Sequence, residues 1–238
     1  SMLLGLFSGI LLSVVGIILA EQLLTLMKTP PNILPLAVTY LRIYFIGMPG
    51  MMIYNFGAAI LRSVGDTKRP LYYLIISGVV NVVLNLVFVI LFKMDVAGVA
   101  LATVISEYIS VALMIRCLMH EQGAIRLELS KLRIHGRQMA EILKVGLPAG
   151  FQGVVFALSN VVIQSSVNLF GDTVVSGNSA AQSIEGFVYM AMNSFYQAAI
   201  SFTGQNYGAK KLERIPKILF CSEGCVIVTG LIFGWAAY

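Results

Sequence analysis

The chain has 238 residues, of which 58% are hydrophobic and only 11% are charged, and its formal net charge is +5. A soluble domain carries about 25% charged residues. This composition therefore excludes an ordinary soluble protein and indicates several membrane-spanning helices. The positive charge does not indicate nucleic-acid binding, because the basic residues lie in alternate loops between apolar segments, as membrane topology requires.

Repeated apolar runs of helical length predict an all-α fold, a polytopic membrane bundle of seven transmembrane helices. In chain order, the predicted helices cover about 2–27, 35–61, 70–92, 97–119, 140–170, 174–205 and 213–238. Residues 1–119 would form a first bundle of four helices, and residues 140–238 a second bundle of three. The polar segment 120–139 is predicted to be a cytoplasmic linker between them.

The turn between the second and third predicted helices reads RSVGDTKRP. Gly65 suits a helix C-terminus, Asp66 or Thr67 can cap the next helix, and Pro70 fits its first turn. Lysine and arginine are concentrated in this loop and in the fourth and sixth loops, and are scarce in the others. The three basic loops and the N-terminal end are therefore predicted to be cytoplasmic.

Polar residues inside the first bundle form two pairs at helical spacing. Asn81 and Asn85 lie four residues apart on the third helix, and Thr103 and Glu107 lie four apart on the fourth. A rise of about 1.5 Å per residue places Asn85 at the depth of Thr103, and Asn81 at the depth of Glu107. We expect the four side chains to converge and to bind Na⁺ through their oxygen atoms. Glu107 could instead carry a proton, because burial raises the pKa of a carboxyl group. Hydrogen bonding between helices without transport is the alternative.

The second bundle carries longer polar stripes, each on a single helix face. The stripe on the fifth helix consists of Asn160, Gln164 and Asn168. The stripe on the sixth consists of Asn178, Gln182, Glu185, Tyr189 and Asn193. Such stripes in lipid must face protein or water, and we predict a water-filled substrate cavity between the bundles. Glu185 beside Tyr189 suits an organic cation. A packed, hydrogen-bonded interface is the alternative.

Enzymatic chemistry is not expected from this sequence. It contains no Walker A lysine motif, no HExxH, no GxSxG and no metal-ligand cluster. Its three cysteines include no CxxC pair. We expect a protein that is not an enzyme and has no cofactor other than Na⁺ or H⁺ as a coupling ion.

Several motifs resemble the multidrug and toxic compound extrusion (MATE) family. They are LRSVGDTKRP, NVVLN, GVALATVIS, GLPAGFQ, FGDTVVSGNSAAQSIEGF and FTGQNYGAKKLERI, which cover nearly the whole chain. The resemblance implies a transporter of twelve helices in two lobes, of which this chain would hold helices three to nine. The function it implies is secondary-active antiport, which exports cationic drug-like molecules in exchange for Na⁺ or H⁺. The implied location is a plasma membrane, the inner membrane of a prokaryote, with membrane lipids as neighbours and a monomeric full-length protein.

The family's N-lobe cation site, carried over by this resemblance, falls on Asn81, Asn85 and Thr103. Some members have aspartate where this chain has Asn85, and Glu107 stands where a neutral polar residue is expected. The carboxylate is therefore hypothesised to have moved to the facing helix. Other members have a glutamate on their seventh helix, whereas residues 151–158 here contain no acid. Glu185 is the candidate substitute.

Two other functions remain open on this sequence. A lipid-linked oligosaccharide flippase of the same superfamily would need a large cationic cavity, but the polar stripes contain no lysine or arginine. A non-transporting membrane scaffold would not need carboxylates at mid-depth in the membrane.

Overall fold

The computed structural model describes residues 2–26, 31–167, 170 and 172–237. These residues form seven α-helices: α1 (Met2–Leu26), α2 (Leu34–Ser63), α3 (Lys68–Leu86), α4 (Asp95–His120), α5 (Gly136–Val167), α6 (Asp172–Gly208) and α7 (Ile215–Ala237). A turn of π-helix, Val87–Leu91, extends α3. No strand occurs within the described ranges, and the predicted all-α fold of seven helices is confirmed. Asn168 of the predicted α5 stripe lies outside the described residues.

Within the described ranges, six helices are long and apolar enough to cross a membrane, namely α1, α2, α3 with its π-helical turn, α4, α5 and α7. The exception is α6, although it is 37 residues long. Its length is therefore not the reason that α6 differs from the other six helices. The polar residues on one face of α6 dilute its apolar character, as expected of a helix that turns this face to protein or water.

The chain divides into two compact units, Ser1–Met139 and Ala140–Tyr238. In unit one, α2 packs against both α1 and α4. Its core lies mainly between α2 and α4, where Leu61, Met114 and Leu118 are fully buried. The segment after α4 folds back onto this core, because Leu127 donates its N–H to the carbonyl of Leu118 at 2.8 Å.

Glycines allow α2 to approach both of its neighbours. A methyl group placed on Gly9 of α1 would lie 2.5 Å from the Cα atom of Pro49 in α2. On the opposite side, a methyl group on Gly57 of α2 would lie 2.6 Å from Cγ of Met114 in α4. Both distances are far below van der Waals contact, so a side chain at either position would force the facing atoms to move. Small residues at helix contacts are the usual way to bring membrane helices together.

The turn between α2 and α3 is a Schellman motif. Gly65 adopts φ +88°, and its N–H donates to the carbonyl of Arg62 at 3.0 Å. The N–H of Asp66 donates to the carbonyl of Leu61, also at 3.0 Å. This paired bonding closes the end of a helix, and glycine avoids the steric cost of the positive φ angle. The predicted role of Gly65 at a helix C-terminus is confirmed.

Asp66 then starts the next helix. Its Oδ1 atom accepts hydrogen bonds from the N–H groups of Lys68 at 3.1 Å and Arg69 at 3.2 Å. The guanidinium of Arg69 pairs with the Asp66 carboxylate and with Glu121 just after α4. Burial acts to raise the pKa of Asp66, but the hydrogen bonds and charge of Arg69, with the N–H of Lys68, outweigh burial and hold that pKa below its usual value.

In unit two, α6 and α7 form a hairpin and pack against each other. The end of α6 repeats the Schellman pattern, since Lys211 donates its N–H to the carbonyl of Asn206 at 2.9 Å and Lys210 to that of Tyr207 at 3.0 Å. Here Lys210, rather than a glycine, takes the positive φ of 56°. A short 3₁₀ turn, Leu212–Arg214, leads into α7.

Candidate functional site

A polar cluster joins α3 and α4 inside unit one. The amide nitrogen of Asn81 donates to Oγ1 of Thr103 at 3.4 Å and to Oγ of Ser106 at 3.3 Å. One helical turn away on α3, the buried hydroxyl of Ser77 donates to the carbonyl of Ser106 at 2.6 Å. These bonds cross between two helices whose other surfaces are largely apolar.

Asn85 completes the cluster on α3. Its amide nitrogen donates to both the carbonyl and the Oδ1 atom of Asn81, each at 3.0 Å. Its own Oδ1 atom is buried and accepts no hydrogen bond from the described part of the chain. A buried carbonyl oxygen without a donor is costly, and it is available as a ligand for a cation. The structure therefore brings Asn81, Asn85 and Thr103 together through direct hydrogen bonds.

Glu107 lies at a different contact of α4. A methyl group on Gly47 of α2 would lie 2.5 Å from Oε2 of Glu107, so the carboxylate lies against α2 at this glycine. The neighbouring Tyr108 donates its hydroxyl hydrogen to the carbonyl of Ile46 in α2 at 2.9 Å. No hydrogen bond links Glu107 to the amides of α3 within the described ranges. That Glu107 shares a site with them stays a prediction.

In unit two, Gln164 connects the polar residues of α5 and α6. Its Oε1 atom accepts hydrogen bonds from Asn178 at 3.4 Å and from Gln182 at 3.3 Å. The two polar faces therefore meet within this unit.

A groove of about 500 Å³ lies beside these bonds. It is lined by Phe156, Asn160, Val161, Gln164, Gln182, Glu185, Gly186 and Tyr189. Five of the seven residues predicted for a substrate cavity line this groove, whereas Asn178 only borders it through Gln164 and Asn193 is not part of its wall. Glu185 is the one charged residue among the lining residues, and aromatic rings lie at Phe156 and Tyr189.

Sequence reasoning missed Ser77 and Ser106 in the first cluster. Ser106 follows Thr103 by three residues and so lies near it on α4. That spacing was a usable signal. Serine is common in membrane helices, however, because its hydroxyl can bond to the backbone of its own helix. The hydroxyl of Ser106 makes such a bond, to the carbonyl of Thr103 at 2.8 Å.

Metal-binding side chains do not cluster in the described part of the chain, where no group of three His, Cys, Asp or Glu residues could hold an ion. The three cysteines are free thiols; Cys221 and Cys225 are exposed. The polar clusters therefore consist of amides, hydroxyls and single carboxylates. Such groups can bind a hard cation, a proton or an organic cation without a bound transition metal.

Long apolar helices with polar clusters between them define a multi-pass helical membrane protein. The model of the MatE family matches residues 1–87 and 148–238, and the chain belongs to this family. The two matched segments lie in different structural units. The match confirms the resemblance that the sequence motifs indicated.

Curated relatives with multidrug resistance names match most of this chain. The probable multidrug resistance protein YpnP of Bacillus subtilis (strain 168) is 36% identical over 200 residues, which cover 84% of this chain and 44% of the relative. The probable multidrug resistance protein YoeA of the same strain is 29% identical over 218 residues, which cover 89% of this chain and 47% of the relative. The chain thus spans about half the length of the curated relatives that it matches. These relatives are named as resistance proteins and not as enzymes, in agreement with the prediction of a non-enzymatic protein.

Among solved structures, a mutant of the Vibrio cholerae MATE transporter VcmN superposes with a TM-score of 0.89. The match covers 100% of this chain and 54% of that chain, at 19% sequence identity. Because the identity is low, this likeness establishes the fold alone.

Proposed function

We propose that the intact protein is a secondary-active antiporter that exports organic cations or drugs in exchange for H⁺ or Na⁺. The observation that carries this proposal is the groove in unit two, where Glu185 provides one negative charge among amides and aromatic rings. A cationic ring system can pair with that charge and stack on Tyr189. The family membership and the names of the relatives support the same reaction class.

Coupling follows from competition for a single charge. A glutamate that holds a proton cannot also pair with a cationic substrate. Proton binding therefore releases the drug, and loss of the proton prepares the site for the next one. In unit one, the unpaired Oδ1 atom of Asn85 and the carboxylate of Glu107 are the candidate groups for Na⁺ and H⁺ respectively. An amide ligand set without a carboxylate favours weak Na⁺ binding, which makes H⁺ the preferred coupling ion.

The proposed location is the inner membrane of a prokaryotic cell, where a proton gradient is available. The proposed partners are membrane lipids and cationic drug-like molecules, and the intact transporter is proposed to be a monomer. A flippase for lipid-linked oligosaccharides is not favoured, because the residues that line the described groove include no lysine or arginine for a phosphate group.

The test uses the intact protein in everted membrane vesicles with a fluorescent organic cation in the external medium, so that export is measured as uptake into the vesicles. Glu185→Gln keeps the shape of the side chain and removes its charge, so transport should fall at least 10-fold, which corresponds to a loss of about 1.4 kcal/mol of attraction for the cation. The matched control is Glu223→Gln, the same chemical change at a position of α7 that does not line this groove, which should keep the parental rate. Varying pH and Na⁺ separately identifies the coupling ion.

Equal transport by the Glu185→Gln protein and its parent would show that Glu185 is structural. The substrate would then have to bind elsewhere. Expression and thermal stability of the variant should stay near parental values, because Glu185 is exposed and the amide keeps the shape of its side chain.

A further inference from the structure

A second groove lies in unit two, between α6 and α7. It has a volume of about 530 Å³. It is lined by Phe195, Ala198, Phe202, Asn206, Arg214, Lys217, Ile218, Cys221, Ser222 and Cys225. None of these residues lines the groove that contains Glu185, and the proposed transport reaction makes no use of them.

The two grooves open on different faces of α6. At about 100° per residue, Phe202 lies roughly 140° around the helix from Tyr189. The face that carries Phe195, Ala198 and Phe202 is apolar, whereas the face that carries Tyr189 is the polar stripe. If the polar stripe faces substrate, the second groove faces away from it.

Charge and apolar surface are separated along this groove. Its basic end holds Arg214 and Lys217 together with the amide of Asn206, next to the turn between the two helices. Its remaining wall is formed by four apolar side chains, the thiols of Cys221 and Cys225, and the hydroxyl of Ser222. The described lining residues include no acid, so the basic end has no carboxylate to neutralise it within the groove.

The dimensions match one lipid chain. Phe195 lies eleven residues before Asn206, which corresponds to about 16 Å along α6. On α7, Cys225 lies eight residues beyond Lys217, or about 12 Å. The hydrocarbon of one leaflet is about 15 Å thick, half of a 30 Å core. The basic loop before α7 is expected on the cytoplasmic side, where anionic lipids and basic residues meet.

We propose that this groove binds one anionic phospholipid of the cytoplasmic leaflet. The phosphate pairs with Arg214 and Lys217 and accepts a hydrogen bond from the amide of Asn206. One acyl chain lies along Phe202, Ile218 and Cys225. Lipid bound in this way bridges α6 and α7 and stabilises their packing.

The native thiols provide a test that needs no substitution. In the intact protein in mild detergent, Cys221 and Cys225 are labelled with an apolar maleimide and quantified by peptide mass spectrometry. Phosphatidylglycerol should slow labelling of both thiols, whereas phosphatidylcholine should not, and Cys117 in unit one serves as the internal reference. Equal protection by the two lipids would overturn the proposal. Thiols that are already protected without lipid would also overturn it, because another segment of the intact protein would then fill the groove.

The second measurement is lipid affinity by native mass spectrometry. Arg214→Gln with Lys217→Gln should weaken phosphatidylglycerol binding about 30-fold, because each basic residue near an anionic lipid contributes about 1 kcal/mol. The matched control, Lys210→Gln with Lys211→Gln, removes the same charge from the same loop at positions that do not line the groove. Affinity of the control should change less than 3-fold by this proposal. An equal loss in both double variants would show that only net charge attracts the lipid, and no specific site would remain.

Discussion

Arg69 connects three segments at one end of unit one. It lies in the first turn of α3, pairs with Asp66 in the preceding turn, and reaches Glu121 beyond the end of α4. The buried hydroxyl of Tyr54 in α2 adds a third polar contact nearby, since it donates to the carbonyl of Pro70 at 2.7 Å. Arginine suits such a position because its planar guanidinium can serve two carboxylates at once. The ends of α2, α3 and α4 are therefore fixed to one another by polar contacts.

This arrangement predicts an acid-sensitive contribution to stability. A carboxyl group whose pKa is lower in the folded protein than its ordinary 3.8 stabilises the fold above that pH. The contribution is lost as the pH falls through the folded-state pKa. Asp66→Asn keeps a helix-capping side chain but removes the charge, so it should lower the free energy of unfolding by about 1 kcal/mol at pH 7.

Thermal unfolding of the intact protein in detergent between pH 3 and pH 7 measures this effect. The difference between Asp66→Asn and its parent should shrink as the pH falls below about 4. Glu213→Gln, a change of an exposed acid before α7, is the control and should show a small, constant difference. A difference for Asp66→Asn that persists at pH 3 would contradict the assignment.

Single residues were predictable where local chemistry decides their conformation. Gly65 and Asp66 could be assigned because a helix end needs a positive φ angle and the next helix needs an acceptor for its free N–H groups. Contacts of Glu107 could not be assigned, because the same helical spacing allows a side chain at the edge of a face to turn toward either neighbour. Gly47 on α2 provides the space that decides this, and its partner is sixty residues away in the chain.

At the scale of the helices, α2 is the centre of unit one because it packs closely on two sides. The two contacts are not equally rigid. Gly9 faces the backbone of α2 at Pro49, which cannot move aside, whereas Gly57 faces the flexible side chain of Met114. The α1–α2 contact should therefore tolerate added volume less well than the α2–α4 contact.

Alanine substitutions can test this difference. Gly9→Ala should lower the free energy of unfolding by about 1–3 kcal/mol, the usual cost of overpacking, and Gly57→Ala should cost less because Met114 can change rotamer. Gly78→Ala is the matched control, since nothing lies within 4 Å of a methyl group there. It should be neutral or stabilising by up to about 1 kcal/mol. Thermal unfolding of the intact protein gives the order, and equal effects of Gly9→Ala and Gly78→Ala would refute the close contact.

The length of each apolar run predicted that a helix would form there, but it did not always predict where the helix ends. The end of α6 was predicted at 205, whereas the helix continues to Gly208. The residue with positive φ that ends it is Lys210. Since lysine rarely adopts this conformation, no local pattern of residues indicated it. The start of α5 also differs from its prediction. This helix begins at Gly136, four residues before its predicted start at 140.

At the scale of the whole molecule, the distribution of basic residues predicts one orientation in the membrane. Single cysteines introduced as Thr67→Cys, Arg133→Cys and Lys211→Cys, in a protein whose three native cysteines are replaced, should react only with reagent on the cytoplasmic side. Met94→Cys lies in the third loop and should react only from outside. Labelling of whole cells with an impermeant maleimide, before and after lysis, measures this. External reaction at any of the three positions predicted to be cytoplasmic would show that the predicted topology is wrong.

The polar stripe of α6 has a consequence for how the protein is made. A segment leaving the ribosome enters the bilayer according to its own apolarity, and each charged or amide side chain counts against it. By composition α6 does not qualify, but the segment that follows, Leu212–Trp235, does. Because α6 packs along α7, the two helices can enter the bilayer as a hairpin with the polar stripe shielded by protein. A nascent chain that stops between Gly208 and Ile215 would therefore lose not one helix from the membrane but two.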